Sequence, residues 1–183
     1  MKTVKRIVAV LLAVMLMAPA AVNAAAPSVT KTSIKNEKAN ATVTYNKKNQ
    51  TPTTVTINGK KLVVGKDCVI VGKKKKNAGK YILTVKGIGN YTGTRTMTFK
   101  ITQKSIADLS FTPNLEKVVY NYNGSYRTPA VSIIYKDAMN KAGATQSYTL
   151  NKGTDYTVIY EDNKKVGTAT VIFTGTGNFK GFH

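Results

Sequence analysis

The sequence predicts an all-β protein in which a leader segment precedes two tandem copies of one small unit. Three observations predict this fold class: a sequence repeat at a constant offset of 88 residues, short segments of alternating apolar and polar residues, and a composition rich in strand and turn residues. Thr, Val, Ile, Tyr, Gly and Asn are plentiful after residue 24, and good helix formers cluster nowhere. We therefore expect almost no helix.

The first 24 residues have the features of a secretory signal peptide. Lys2, Lys5 and Arg6 precede an apolar run over residues 7–17, which is too short to span a bilayer, and small residues follow up to Ala24. The alternative, an uncleaved anchor, would need a longer apolar run. We expect cleavage after Ala24, an extracellular or cell-surface location, and no transmembrane segment in the mature chain.

The repeat divides the mature chain into an N-terminal half, residues 25–104, and a C-terminal half, residues 105–183. A Leu, a Gly and an Asp recur in the spacing L-x-x-G-x-D, followed by a loop glycine and a glycine-rich turn that contains Gly-x-Gly-Asn. No gap is needed at the offset of 88. The motif residues are Leu62, Gly65, Asp67, Gly79, Gly87, Gly89, Asn90 and Gly93 in the first copy, and Leu150, Gly153, Asp155, Gly167, Gly175, Gly177, Asn178 and Gly181 in the second.

Alternation within one unit predicts short strands that are half-buried around a small core. Asn58 and Gly59 predict a tight hairpin turn, because both central residues of a type I′ turn need positive φ. Strands are predicted around 43–45, 55–57, 61–64, 67–71, 80–86 and 94–102. In the C-terminal half we predict a strand at 106–111, a chain reversal at Pro113 and Asn114, and a segment 118–122 leading to a second Asn-Gly turn.

The two copies differ in length at two places. Upstream of the motif the offset falls to 77, so the second copy has gained about eleven residues, which we place in a lengthened polar hairpin loop at 136–147. The closing strand predicted at 94–102 has no counterpart, because only Phe182 and His183 follow Gly181. We expect an unpaired edge there. The chain is then a piece of a longer repeat array, or a further repeat or a strand donor completes the second copy.

The motif of the second copy resembles tandem immunoglobulin-like β-repeats of the MBG and YDG kind, found in secreted and surface proteins of Gram-positive bacteria. The matching residues are Leu150, Gly153, Asp155, Tyr156, Val158, Tyr160, Asn163, Gly167, Val171, Gly175, Gly177, Asn178, Phe179 and Gly181. The resemblance implies two small Ig-like β-sandwich repeats, with β-grasp-like repeats as the alternative. It also implies extracellular spacer or adhesion modules without catalysis. The first copy departs from the pattern at Cys68 and in a lysine run.

The formal charge of +20 is concentrated in the N-terminal half, which has seventeen Lys and Arg against Glu37 and Asp67, whereas the C-terminal half has eight against six acidic residues. The candidate ligand-binding residues are Lys60, Lys61, Lys66, Lys73, Lys74, Lys75, Lys76 and Lys80. Exposed lysines attract anionic polymers, so we predict binding of wall polymers such as teichoic acid, or of host glycans. The alternative is a solvated lysine loop that discourages strand-to-strand aggregation. No nucleic acid is expected, because no base-stacking aromatic pattern accompanies the lysines.

Candidates for catalysis and metal binding are few. His183 is the sole histidine and the last residue, and Cys68 is the sole cysteine, at a position that looks like a buried strand residue. Asp67 and Asp155 occupy equivalent turn positions, so no metal site and no cofactor are predicted. The sequence predicts a non-catalytic extracellular structural or adhesion module. The alternative is an accessory carbohydrate-binding module of a larger secreted enzyme, with Tyr91, Tyr126 or Phe179 as a sugar platform.

Overall fold

The computed structural model describes residues 30–35, 38–108, 110–137 and 146–183. These residues form fifteen β-strands and no helix, which confirms the predicted all-β class. The predicted signal peptide, and residues 138–145 of the predicted loop insertion, lie outside the described residues. Within the described ranges there is accordingly no helix of the length and apolar character needed to cross a membrane.

Eight of the described strands lie in the N-terminal half and seven in the C-terminal half. The first eight are β1 (Thr32–Ser33), β2 (Ala39–Thr44), β3 (Thr54–Ile57), β4 (Lys60–Val63), β5 (Cys68–Val71), β6 (Gly79–Gly87), β7 (Tyr91–Thr92) and β8 (Thr94–Thr102). The other seven are β9 (Lys104–Ser105), β10 (Phe111–Leu115), β11 (Val131–Asp137), β12 (Gln146–Thr149), β13 (Tyr156–Glu161), β14 (Thr170–Gly175) and β15 (Phe179–Lys180).

Six strands of the N-terminal half form one mixed sheet in the order β4-β3-β2-β8-β6-β5. β2 and β8 run parallel at its centre, and the other neighbours are antiparallel. The two edge strands, β4 and β5, are consecutive in the chain and joined by the short turn 64–67, where Val64 bridges to Cys68. The sheet therefore curls so that the end of β4 lies next to the start of β5, and its inner face encloses buried side chains such as Val55, Leu62 and Phe99.

Several backbone contacts of the N-terminal half recur in the C-terminal half. β1 pairs parallel with β7, and β9 pairs parallel with β15; β7 and β15 are 88 residues apart, whereas β1 and β9 are 72 apart. The Gly87 amide donates to the Gly93 carbonyl at 2.9 Å, and the Gly175 amide donates to the Gly181 carbonyl at 2.8 Å. In the C-terminal half the strands divide into β10-β11-β12, β13-β14 and β15-β9, without a six-stranded sheet among the described residues.

Two predictions about the start of the C-terminal half are wrong. Residues 106–107 lie in a turn, and Pro113 and Asn114 lie inside β10 instead of reversing the chain. A proline is tolerated in a strand where its nitrogen faces an open edge. β10 is an edge strand of its sheet, so Pro113 costs no hydrogen bond to a neighbouring strand.

The two halves share one hydrophobic core. Phe179 of β15 is 0% exposed, and its ring packs edge-on against Tyr45 at 5.4 Å and against Phe111 at 5.7 Å between ring centroids. Asn178 accepts a hydrogen bond from the Ala78 amide at 2.7 Å, so the glycine-rich turn of the second half contacts the lysine loop of the first.

Candidate functional site

The eight lysines selected from the sequence do not form one cluster. The lysines at 73–76 lie in the loop between β5 and β6, and Lys80 lies near the start of β6. Lys60 and Lys61 lie on the edge strand β4, with the Lys60 ammonium against the Tyr91 ring, and the Lys66 carbonyl lies beside Gly89. Tyr91 and Gly89 follow Gly87 at the C-terminal end of β6, whereas Lys80 lies at its N-terminal end. Lys60 and Lys61 therefore occupy positions that suit protection of a sheet edge.

Direct contacts hold the lysine loop on the sheet. Lys75 and Gln50 exchange two backbone hydrogen bonds at 2.7 and 2.9 Å, which join this loop to the β2–β3 connection. The Lys75 ammonium lies 5.2 Å from the centre of the Tyr81 ring, a cation–π contact. The Tyr81 hydroxyl donates to the Asn77 carbonyl at 2.8 Å. The loop is thus anchored at Lys75 and Asn77, and its other three lysines are exposed.

Strand register brings a further lysine next to Lys80. Lys80 of β6 is directly opposite Lys100 of β8, and both side chains are exposed. Like charges in directly opposite positions repel each other, so a bound anion would relieve this pair. Both lysines line a cavity of about 340 Å³ at the junction of the two halves, together with Lys180 of β15 and Gln103.

We call this surface the basic end; it consists of Lys73, Lys74, Lys75, Lys76, Lys80, Lys100 and Lys180. The sequence does not predict that Lys100 and Lys180 belong to the basic end. Each is isolated in sequence, and strand pairing brings Lys100, and contact between the halves brings Lys180, next to the other lysines. Alternation within 94–102 does predict that Lys100 is exposed, but not which residue it opposes.

The carboxylates of Asp67 and Asp155 accept hydrogen bonds within turns. Asp67 is the only acidic residue between positions 38 and 104, and its carboxylate accepts a hydrogen bond from the Val63 amide at 2.9 Å. Asp155 accepts in the same way from the Asn151 amide at 3.0 Å. Across the residues that the structure describes, no three His, Cys, Asp or Glu side chains come together as a metal site.

The aromatic residues considered as a sugar platform do not share a surface. Phe179 is buried in the core, and Tyr91 is half-buried with the Lys60 ammonium 5.4 Å from its ring centre. A hydrogen bond to Tyr91 raises the pKa of Lys60. Tyr126 is exposed, but it lies beside Lys164 in the C-terminal half, with 5.2 Å between the ammonium and the ring centre.

Cys68 should react slowly with alkylating agents in the folded protein. Its thiol is buried, and burial together with the nearby Asp67 charge raises its pKa, so less thiolate is present at neutral pH. We expect iodoacetamide at pH 8 to label the native protein at least about tenfold more slowly than the urea-unfolded protein, measured by intact mass. Equal rates would contradict the buried position.

Comparison with known proteins identifies no relative. No protein-family model, curated protein or solved structure matches this chain.

Proposed function

We propose that this chain is a non-catalytic extracellular module of structural or adhesive type that binds anionic polymers through the basic end. The observation that carries the proposal is the convergence of Lys80, Lys100 and Lys180 on one cavity beside the lysine loop. No Asp or Glu of the described residues lines this cavity, and Asp67 accepts a hydrogen bond within the turn 64–67. The positive charge at this end of the N-terminal half is therefore available to a ligand.

The character of the surface favours a polymer over a single small ion. The lysines are exposed, and one exposed ion pair is worth at most about 1 kcal/mol because water and salt screen it. A chain with regularly spaced phosphate, sulfate or carboxylate groups can contact several lysines at once, and the summed field attracts it. Teichoic acid of the cell wall and acidic host glycans both have this chemistry.

The sheet topology is relevant to the choice between Ig-like and β-grasp-like repeats. An Ig-like sandwich divides its strands between two packed sheets. Here six strands belong to one mixed sheet, and the first and last of its long strands, β2 and β8, lie parallel and side by side. This arrangement supports the β-grasp-like alternative, and the corresponding hydrogen bonds in both halves support two tandem copies of it.

Heparin chromatography with two charge-matched variants tests the proposal. The first variant replaces Lys80, Lys100 and Lys180 with Ser, and the second replaces Lys60, Lys61 and Lys66 with Ser, so both lose three positive charges. We expect the first variant to elute at clearly lower salt than the second, because its three lysines act on the same ligand. The measurement is repeated with purified teichoic acid immobilised on the column.

Equal elution shifts would show that net charge alone governs retention, and the proposed site would then be wrong. Unchanged retention of the first variant would also contradict the proposal. Circular dichroism of both variants checks that they keep the fold of the wild type.

A further inference from the structure

The central strands of the N-terminal sheet have an uncovered outer face. β2, β8 and β6 are neighbours in the sheet, and alternate side chains point away from the core. Those that point inward, such as Leu83 and Phe99, are buried. We call the outward surface the threonine face, and all of its side chains except Thr84 are exposed. It consists of Asn40, Thr42, Ile82, Thr84, Thr96 and Thr98.

Positive charge lies at both ends of the threonine face and not in its middle. At one end Lys80 is opposite Lys100, which also lies beside Thr42. Lys86 lies further along β6, about 20 Å from Lys80 at the usual rise of a strand. Between these ends the opposed pairs are Ile82 with Thr98 and Thr84 with Thr96.

No acidic side chain compensates these lysines within the three strands. The sequences of β2, β6 and β8 contain no Asp or Glu. Lys38, directly before β2, adds an exposed lysine on the side of Lys86. Arg95 is the other basic residue of these strands, and its guanidinium is already engaged with the Lys35 carbonyl at 2.6 Å. The face is therefore complementary to a ligand with widely spaced negative charges.

The uncharged side chains of the face have free hydrogen-bonding groups. A threonine hydroxyl both donates and accepts, and an asparagine amide does the same. Within the described part of the chain, no hydrogen bond involves the side chains of Asn40, Thr42, Thr96 or Thr98. Thr102 of β8 differs, because its hydroxyl donates to the Val43 carbonyl at 3.2 Å. The middle of the face can therefore bond the hydroxyl groups of sugars.

Apolar contact is available beside these groups. Ile82 is 70% exposed, and Val71 of β5 is 56% exposed. Val71 is opposite Thr84, so it is a diagonal neighbour of Ile82 on the same face. A sugar ring has an apolar C–H face and an edge of hydroxyl groups, so it matches a surface on which Ile82 lies among threonines.

We propose that the polymer bound at the basic end is an acidic polysaccharide in which neutral sugars separate the charged ones. It runs from Lys80 and Lys100 across the threonine face towards Lys86. Its anionic groups contact these lysines, and its neutral sugars cover Ile82 and the threonines. A polymer charged at every unit would place anions over the uncharged middle, where no lysine compensates their lost hydration. This inference rests on polymer binding at the basic end and adds the class of polymer.

Calorimetry of the full chain with two polymers tests the inference. One polymer is a hyaluronan octasaccharide, in which acidic and neutral sugars alternate, and the other is a polyphosphate of similar length. One variant replaces Thr42, Thr96 and Thr98 with Val. Its control replaces three exposed strand threonines of the C-terminal half with Val, namely Thr149, Thr157 and Thr170. Both variants keep the net charge and the β-branched shape of the side chains.

We expect the first variant to bind the octasaccharide about tenfold more weakly than the wild type, because it has lost three hydrogen-bonding hydroxyls. The control variant should bind the octasaccharide as the wild type does, and neither variant should change polyphosphate binding. Lys86→Ser should weaken octasaccharide binding about threefold, whereas Lys152→Ser, which removes the same charge from an exposed position in the other half, should not.

The variant in which Lys80, Lys100 and Lys180 are replaced with Ser separates this inference from the proposed function. It should bind both polymers more weakly, and unchanged binding of both would contradict polymer binding at the basic end itself. Weaker binding of both, together with equal octasaccharide affinity of the two threonine variants, would overturn only the inference about the polysaccharide. Wild-type binding of polyphosphate alone, or equal effects of Lys86→Ser and Lys152→Ser, would also overturn it.

Discussion

Replacing Phe179 with Ala should destabilise the protein by about 3–5 kcal/mol, the usual cost of deleting a buried aromatic side chain. The ring is 0% exposed and contacts Tyr45 of the first half and Phe111 of the second, so its loss leaves a cavity between the two halves. Urea unfolding followed by circular dichroism measures the change in the free energy of unfolding.

Phe182→Ala is the matched control, since it removes the same side chain three residues later, where the ring is 73% exposed. We expect a change within about 0.5 kcal/mol for this variant. A loss below about 1 kcal/mol for Phe179→Ala, or equal losses for the two variants, would mean that the halves do not share a core at this residue.

Gly175→Ala should cost about 3 kcal/mol, the upper part of the range for overpacking. An added Cβ would lie 2.7 Å from the Lys180 nitrogen and 2.9 Å from its carbonyl carbon and oxygen, and backbone atoms cannot move aside as a flexible side chain can. The free energy of unfolding from a urea titration gives the measured cost.

Gly124→Ala separates this contact from the cost of backbone conformation. Gly124 has a φ of +76° and no atom within 4 Å of an added Cβ, so its substitution should cost only the left-handed penalty of about 1–2 kcal/mol. A smaller loss for Gly175→Ala than for Gly124→Ala would show that the close backbone approach at Gly175 is wrong.

The recurring glycines predicted where turns occur, but not why each position requires glycine. Their positions predicted glycine-rich turns, and the turns are there. The structure separates two reasons that select the same residue: Gly89 and Gly177 have φ near +60°, whereas Gly87 and Gly175 lack positive φ and are instead crowded by backbone. The sequence alone does not show whether a glycine is required for its positive φ or for its missing side chain, because glycine satisfies both requirements.

Strand prediction succeeded where alternation was regular and failed at one edge. The predicted strand 94–102 coincides with β8, and the Asn58 and Gly59 turn has positive φ at both residues, at 47° and 78°. β10 was missed because Pro113 and Asn114 are typical turn residues. Their presence in a strand depends on which edge lacks a partner, and this is a property of the whole sheet.

The candidate site was predictable only in part for the same reason. The lysine run was visible, but Lys100 comes next to Lys80 through the β6–β8 register, and Lys180 through contact between the halves. Lys60 is close to the run in sequence, but its ammonium lies against Tyr91, beyond the end of β6 opposite to Lys80. Sequence proximity is a poor guide to proximity on a curled sheet.

Nuclear magnetic resonance mapping of a short sulfated or phosphate polymer on the isotope-labelled protein tests the proposed function most directly. We predict that amide shifts at low salt concentrate at residues 73–80, 100 and 180, and that added salt reverses them because the attraction is screened. Shifts centred on Lys60, Lys61 and Lys66, or no shifts at all, would contradict the assignment of the basic end as the binding surface.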